Sequence, residues 1–426
     1  MNPGQFQGIF TLAHPLLWNG CALPATPDQA PMHRILQEIM QTQIKRTAFR
    51  PAAASLTLAL ALALARIGSA EAQSYTLVDL TPTAGNGVAT GISAGVAAGY
   101  SATAIFSSLT HALLWDGTGA TDLHPTAFDL PASGTPGRSS VLDINGNLQV
   151  GWAAGSSTGN RTIPMAWRGS ADTATTLAIP FTNYGGQATA TDGTQIAGYA
   201  IPSNSDGTAQ GPARGIVWDA ASGAPVDLGD GGNGAMVYGV GGGQQVGYVI
   251  KKQASAALWR GTDRSLVVLH PTGAVISVAN DTDGTRQVGY AGYDVRVRQE
   301  AAKGNKYARF NYAMVWNGTA ASATSIHPYP VNNLPGINLS QSYALGVNGS
   351  WIVGYAGDQT KFGSPAYSHA IVWDAEYQST DLNAYLPAGF VGAQATSVDA
   401  NGNVSGFMAK SDGTRHAVVW LLNPAQ

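Results

Sequence analysis

Residues 341–356 read QSYALGVNGSWIVGYA, and after a loop His369–Trp373 reads HAIVW. An apolar segment meets Asn348-Gly349, a second ends in Gly354-Tyr355, and a third closes on Trp373. Asx-Gly between two apolar runs is a strong hairpin signal, because both residues tolerate positive φ. The same plan recurs along the chain. A Gly-aromatic pair stands at Gly99-Tyr100, Gly151-Trp152, Gly198-Tyr199, Gly247-Tyr248, Gly289-Tyr290, Gly354-Tyr355 and Gly406-Phe407. A tryptophan closes the following run at Trp115, Trp167, Trp218, Trp259, Trp316, Trp373 and Trp420. A repeat of this length fixes the architecture before any local reading does.

Each unit carries four short segments, here named A, B, C and D. In the first unit they are Val88–Ser93, Val96–Tyr100, His111–Trp115 and Ala120–His124. The seventh unit has A, B and C but no D. An orphan segment at the other end, Tyr75–Leu80 (YTLVDL), resembles a D segment in its Val78-Asp79-Leu80. A ring solves both problems, since the first strand completes the last sheet. Radial repetition of four-stranded sheets is a β-propeller. The expected fold is therefore all-β: a seven-bladed propeller of antiparallel blades in residues 73–426, closed by Tyr75–Leu80 against His416–Trp420. Apolar C segments such as HALLW suit sheets covered on both faces. The B-segment glycines are expected where an adjacent sheet approaches closely.

Charged residues make up 11% of the chain, against roughly 25% in an ordinary domain. The formal net charge is −3, and no basic stripe points to nucleic acid. Lys45, Arg46 and Arg50 precede an apolar run at 52–65, and Ala70-Glu71-Ala72 follows. This is the pattern of a secretory signal peptide, expected over 40–72 with cleavage before Gln73. Residues 1–39 are then an upstream extension or a disordered segment, with translation starting at Met40. The sole cysteine, Cys21, lies in that segment, so the mature chain has no thiol chemistry. No later stretch is apolar and long enough to span a bilayer as a helix. The expected protein is exported, without a membrane span, and works as a monomer.

The alternation of apolar residues, Asx-Gly turn, Gln-Val-Gly-Tyr and a closing Ala-x-x-Trp resembles the HAF-type extracellular repeat of bacterial proteins. His111-Ala112, His369-Ala370 and His416-Ala417 carry its His-Ala opening. The other units depart there, with Ile163-Pro164, Arg214-Gly215, Ser255-Ala256 and Tyr312-Ala313. The strand order also resembles that of WD40 repeats. The resemblance implies a secreted propeller and brings no catalytic residues with it, because the repeat motif is structural.

In a meander, successive turns alternate ends. A–B and C–D turns share one face and are short. B–C and D–A connections share the other and are long, so function is expected on that long-loop face. His124, His270 and His327 end D segments, and His111, His369 and His416 open C segments. Their repeat-equivalent places spread them around the ring, which argues against a metal site. Asp281 and Asp283 in DTDGT fit a turn better than a calcium loop, since no Glu completes the pattern. No cofactor, metal or catalytic set is expected. One insertion breaks the repeat: Gly292–Asn311, GYDVRVRQEAAKGNKYARFN, reads as a hairpin extending B and C of the fifth unit. It gathers Arg296, Arg298, Lys303, Lys306 and Arg309, partly offset by Asp294 and Glu300. These five are the candidate binding residues, for an anionic glycan or a protein partner. The readings left open are a binding or scaffold module, a propeller-type polysaccharide hydrolase or lyase, and a structural surface component.

Overall fold

The computed structural model describes residues 73–424, apart from 82–85, 103–108, 130–135, 183, 205–209, 263–264, 298–305, 329–340 and 358–367. Met1–Ala72, which holds the expected extension and signal peptide, lies outside the described residues. The rest is a seven-bladed β-propeller of four-stranded antiparallel sheets. In the first blade the strands are Gly87–Ser93, Val96–Ala102, Thr110–Trp115 and Ala120–Asp122. The last blade is built from both chain ends. Tyr75–Asp79 pairs with Arg415–Leu422, with Tyr75 opposite Leu422 and Asp79 opposite Val418. The D strands are shorter than the sequence suggests, only Thr175–Thr176 in blade two and Thr324–Ser325 in blade five. Short outer strands leave little free edge for another chain to pair with.

The core is divided among the seven junctions between blades, and each holds one of the tryptophans. Trp167 of blade two clusters with Ala98, Ala112 and Leu123 of blade one. Trp420 clusters with Val353, Ala370 and Val372 of blade six. Trp115 meets Ala417 and Val419 of blade seven, so the closing junction repeats the others. The remaining four follow the same rule. The C strand ends in tryptophan because that position fills the gap to the preceding blade.

Every A–B pair carries a bulge at the same place, for example between Ala89 and Gly91. The bulge explains the invariant glycine, and the explanation differs from the expected one. A Cβ on Gly99 would lie 2.0 Å from the Val88 carbonyl, and one on Gly289 2.0 Å from that of Val278. The close approach is the glycine's own A strand, kinked inward by the bulge, and not a neighbouring sheet. The extra residue at the bulge reaches the next blade. Thr90 Oγ1 donates to the Val141 carbonyl at 2.9 Å, and Thr189 Oγ1 to that of Val237 at 2.8 Å. Thr396 Oγ1 donates to the Ala89 carbonyl at 2.6 Å, joining blade seven to blade one.

The Asx-Gly turns also differ from expectation. Asn145 and Asn348 are the last paired A-strand residues, opposite Leu148 and Trp351. Only the glycines there, Gly146 and Gly349, have positive φ, at 55° and 54°. The turn centres there are Gly146-Asn147 and Gly349-Ser350, one residue beyond the Asx-Gly pair.

Candidate functional site

The fifth blade carries the predicted arm. Its B and C strands, Gln287–Val297 and Lys306–Trp316, stay in register from Gly292 opposite Asn311 to Val297 opposite Lys306. Paired backbone continues past the blade, so the arm grows from the sheet as a hairpin. Its base is tied to blade six. The Asn311 side-chain amide donates to the Tyr343 hydroxyl, and the Asn311 N–H donates to Gln341 Oε1 at 3.3 Å. Tyr343 in turn stacks on Tyr355, with centroids 5.0 Å apart, and meets Tyr290 at 4.7 Å. Burial pushes the Tyr290 hydroxyl up to about 12, so it stays protonated at any physiological pH.

Of the five predicted basic residues, Arg309 stands opposite Asp294 and is bound by it. Arg309 Nε donates to Asp294 Oδ1 at 2.9 Å. Arg296 and Lys306 occupy register positions opposite Tyr307 and Val297. Arg298 and Lys303 lie outside the described residues, as does Glu300. Among the described side chains of these five, that of Arg309 is neutralised within the arm.

The histidines form two repeating structural devices. His111, His369 and His416 each bind a D-strand carboxylate, at Asp122, Asp381 and Asp79, over 2.7, 2.6 and 2.8 Å. The Asp122 hydrogen bond is the largest of the effects that raise the pKa of His111. In blade three Arg214 takes the same place and grips Asp227 at 2.5 Å. The second device joins blades. Ser139 Oγ accepts the Ala112 N–H at 3.0 Å and shares a second hydrogen bond with His124 Nδ1 at 2.8 Å. Ser277 with His270, and Ser342 with His327, repeat the arrangement. Nε2 of His124 faces the Asp129 carboxylate at 3.3 Å and Nε2 of His270 faces the Ala274 carbonyl at 3.0 Å, and since both partners can only accept, Nε2 is the donor there. Burial, the largest cause, lowers the pKa of His124. Among the described residues no group of three acidic, cysteine or histidine side chains could hold a metal.

A third arrangement was not singled out from the sequence. The A–B turns of all seven blades ring one mouth of the axial channel, around a cavity of about 580 Å³. Asp143, Asp192, Asp281, Asp283 and Asp399 lie in its lining. Asp143 accepts the Thr191 N–H at 2.8 Å, Asp281 the Val347 N–H at 2.9 Å, and Asp399 the Gly95 N–H at 2.9 Å. Each carboxylate thereby clasps the following blade. Burial pushes Asp143 up to about 7 and Asp281 up to about 8, with the charge of Asp143 contributing to the latter. A signal existed: both follow the bulge, where the other blades have Gly91, Ala190, Gly239, Gly346 and Ser397. Asp283 behaves as a turn residue, as expected, accepting from the Thr285 and Arg286 N–H groups.

No family model matches the chain, and no curated protein matches it. Among solved structures it is similar to the β-propeller domain of the Trilobed protease from Pyrococcus furiosus, at 10% identity and a TM-score of 0.46, over 79% of this chain and 96% of that one. It is similar to tricorn protease at 12% identity and TM-score 0.46, over 82% of this chain and 34% of that one. Puromycin hydrolase matches at 12% identity and TM-score 0.44, over 80% of this chain. The chain covers 52% of that enzyme, about half its length. These likenesses concern propeller architecture, which the blade topology already establishes.

Proposed function

We propose that this chain is an exported binding or scaffold module of the HAF-repeat type, which presents its long-loop face to an anionic glycan or an acidic protein surface. The observation that supports it most is the arm. A hairpin that continues two paired strands and is tied to the next blade fixes its backbone, which lowers the entropy lost on binding. Basic residues gathered there, in a chain with few charges, suit an anionic partner. A chain exported by the signal expected at 40–72 would meet such a partner outside the cytoplasm. The test is the affinity of the protein for heparin and for polygalacturonate at low and moderate salt. Replacing Arg296, Lys306 and Arg309 by Ser is expected to weaken binding and flatten its salt dependence, with the melting temperature unchanged. Equal affinity and equal salt dependence for both proteins would refute the reading.

The channel mouth favours a second reading, a hydrolase or lyase acting on polysaccharide. A carboxyl group held protonated near neutrality is what a general acid needs. Turnover of a polysaccharide that is lost in Asp143→Asn and Asp281→Asn would support this reading. Turnover unaffected by both variants would exclude these residues from it.

A further inference from the structure

Beyond its blade, the arm has a free edge. Tyr293–Val297 pairs with Lys306–Phe310 on one side, and among the described residues no strand pairs with it on the other. That second side is the A-strand side, because the Gly292 carbonyl accepts the Val275 N–H at 2.7 Å. The equivalent residues of blades one and four, Ala102 and Ile250, bond toward their A strands in the same way. Backbone direction alternates along a strand. The N–H and C=O groups of residues 294 and 296 therefore face the open edge, and those of 295 face the paired strand.

We infer that this edge pairs with the same edge of a second copy, antiparallel, about a two-fold axis through Val295. The sequence around that axis, Asp294-Val295-Arg296, is self-complementary. The two-fold sets position 294 of each copy opposite position 296 of the other. Asp294 then meets Arg296 twice, and both positions offer the backbone groups that a hydrogen-bonded antiparallel pair requires. Val295 meets Val295 in a non-hydrogen-bonded pair, where side chains come closest. Val295 is 40% exposed, and the dimer covers part of it. A pairing centred on residue 294 or 296 would keep the backbone bonds but set Asp294 against Asp294 or Arg296 against Arg296, so the charges select the register centred on Val295. Asp294 keeps Arg309 on its other side, and the dimer makes a four-stranded sheet from two arms.

The arrangement has consequences. Antiparallel arms run past each other, so the two long-loop faces oppose. Six residues separate the two copies of Gly292 along the paired strands, which sets these faces about 20 Å apart. The interface is small and belongs to the weak, transient class, forming at high protein concentration. It replaces the expected monomer with a monomer–dimer equilibrium. The pairing uses the backbone and two Asp–Arg pairs, and because Arg296 is also a proposed anion-binding residue, dimerisation and anion binding compete for it.

The test is cross-linking in the full chain carrying Cys21→Ser, which removes the only native thiol. Cα atoms of a non-hydrogen-bonded antiparallel pair lie about 4.5 Å apart, within disulfide reach. Val295→Cys is expected to oxidise to a covalent dimer. Val268→Cys, an equally exposed valine on a D strand, reports random collision. Sedimentation equilibrium then reads the charge pair. Asp294→Arg alone, or Arg296→Asp alone, sets like charges opposite each other twice and is expected to weaken dimerisation about tenfold. The double variant, with Arg309→Asp added so that residue 294 keeps an opposite charge within its own arm, restores opposite charges and is expected to recover it. Cross-linking of Val295→Cys no faster than that of Val268→Cys overturns the proposal, and so does failure of the double variant to recover. Because these measurements need no polyanion, they remain decisive if the glycan affinity is absent.

Discussion

Replacing Asp143 and Asp281 by Asn should remove a pH dependence of stability that these two carboxyls impose. Their pKa values are raised from 3.8 to about 7 and about 8, mainly by burial. A shift of three to four units corresponds to about 4–6 kcal/mol per group at most. Both side chains line the channel cavity, are only partly buried and accept backbone N–H bonds, so about half of that is a realistic figure. The sign follows from the direction. The folded chain holds these protons more tightly than the unfolded chain does. Stability from this source is full below pH 3.8 and is lost as pH rises through 7 to 8. Wild type should therefore be less stable at pH 8.5 than at pH 5, by about 3–5 kcal/mol from this pair. Asn keeps an oxygen to accept the Thr191 and Val347 N–H groups but cannot ionise. Urea unfolding at the two pH values, for wild type and the double Asn variant, measures the effect. The double variant should lose most of the difference. Parallel pH profiles in the two proteins would show that these carboxyls are not held protonated.

Three further outcomes follow from the fold. Deleting Tyr75–Asp79 uncovers the edge of Arg415–Leu422 and should cause aggregation or a large fall in melting temperature, visible by light scattering and calorimetry. Trp316→Ala should cost about 3–5 kcal/mol in chemical denaturation, since the side chain is fully buried at a blade junction. Trp218 donates its indole N–H to the Ala178 carbonyl at 2.6 Å, whereas that of Trp373 is buried with no partner among the described residues. Trp218→Phe should thus cost about 1 kcal/mol more than Trp373→Phe in the same assay. Edman sequencing of the exported protein should begin at Gln73. Export with residues 1–39 retained would contradict both the signal peptide and the Met40 start.

The ring was legible because its markers are spaced along the sequence. Seven tryptophans and seven Gly-aromatic pairs define one unit each, and the missing D strand with the orphan Tyr75–Leu80 defines closure. Which blade each tryptophan packs against was not legible, since it depends on the sheet face that the C strand presents. The bulge was hidden as well. It adds one residue to a strand without altering composition, and it alone explains why Gly99 and Gly289 carry no side chain. The channel-mouth carboxylates went unseen for a related reason. Asp143 and Asp281 belong to blades two and five and line one cavity only because the A–B turns of all blades converge on the axis. The hairpin arm was legible from the alternation in Val295–Arg298, but the neutralising contact of Arg309 with Asp294 needed the register.

Closure of the ring by the N-terminal strand is the claim on which the rest stands, and one disulfide tests it. Thr76 lies directly opposite Leu421 across the closing pair. Paired strand residues stand about 5.5 Å apart at Cα, within disulfide geometry. Thr76→Cys with Leu421→Cys, in the Cys21→Ser chain, should oxidise to an intramolecular bond, seen as a faster band on a non-reducing gel and a loss of two hydrogens by mass. Two free thiols after oxidation, or only intermolecular products, would mean that the first strand does not close the last blade.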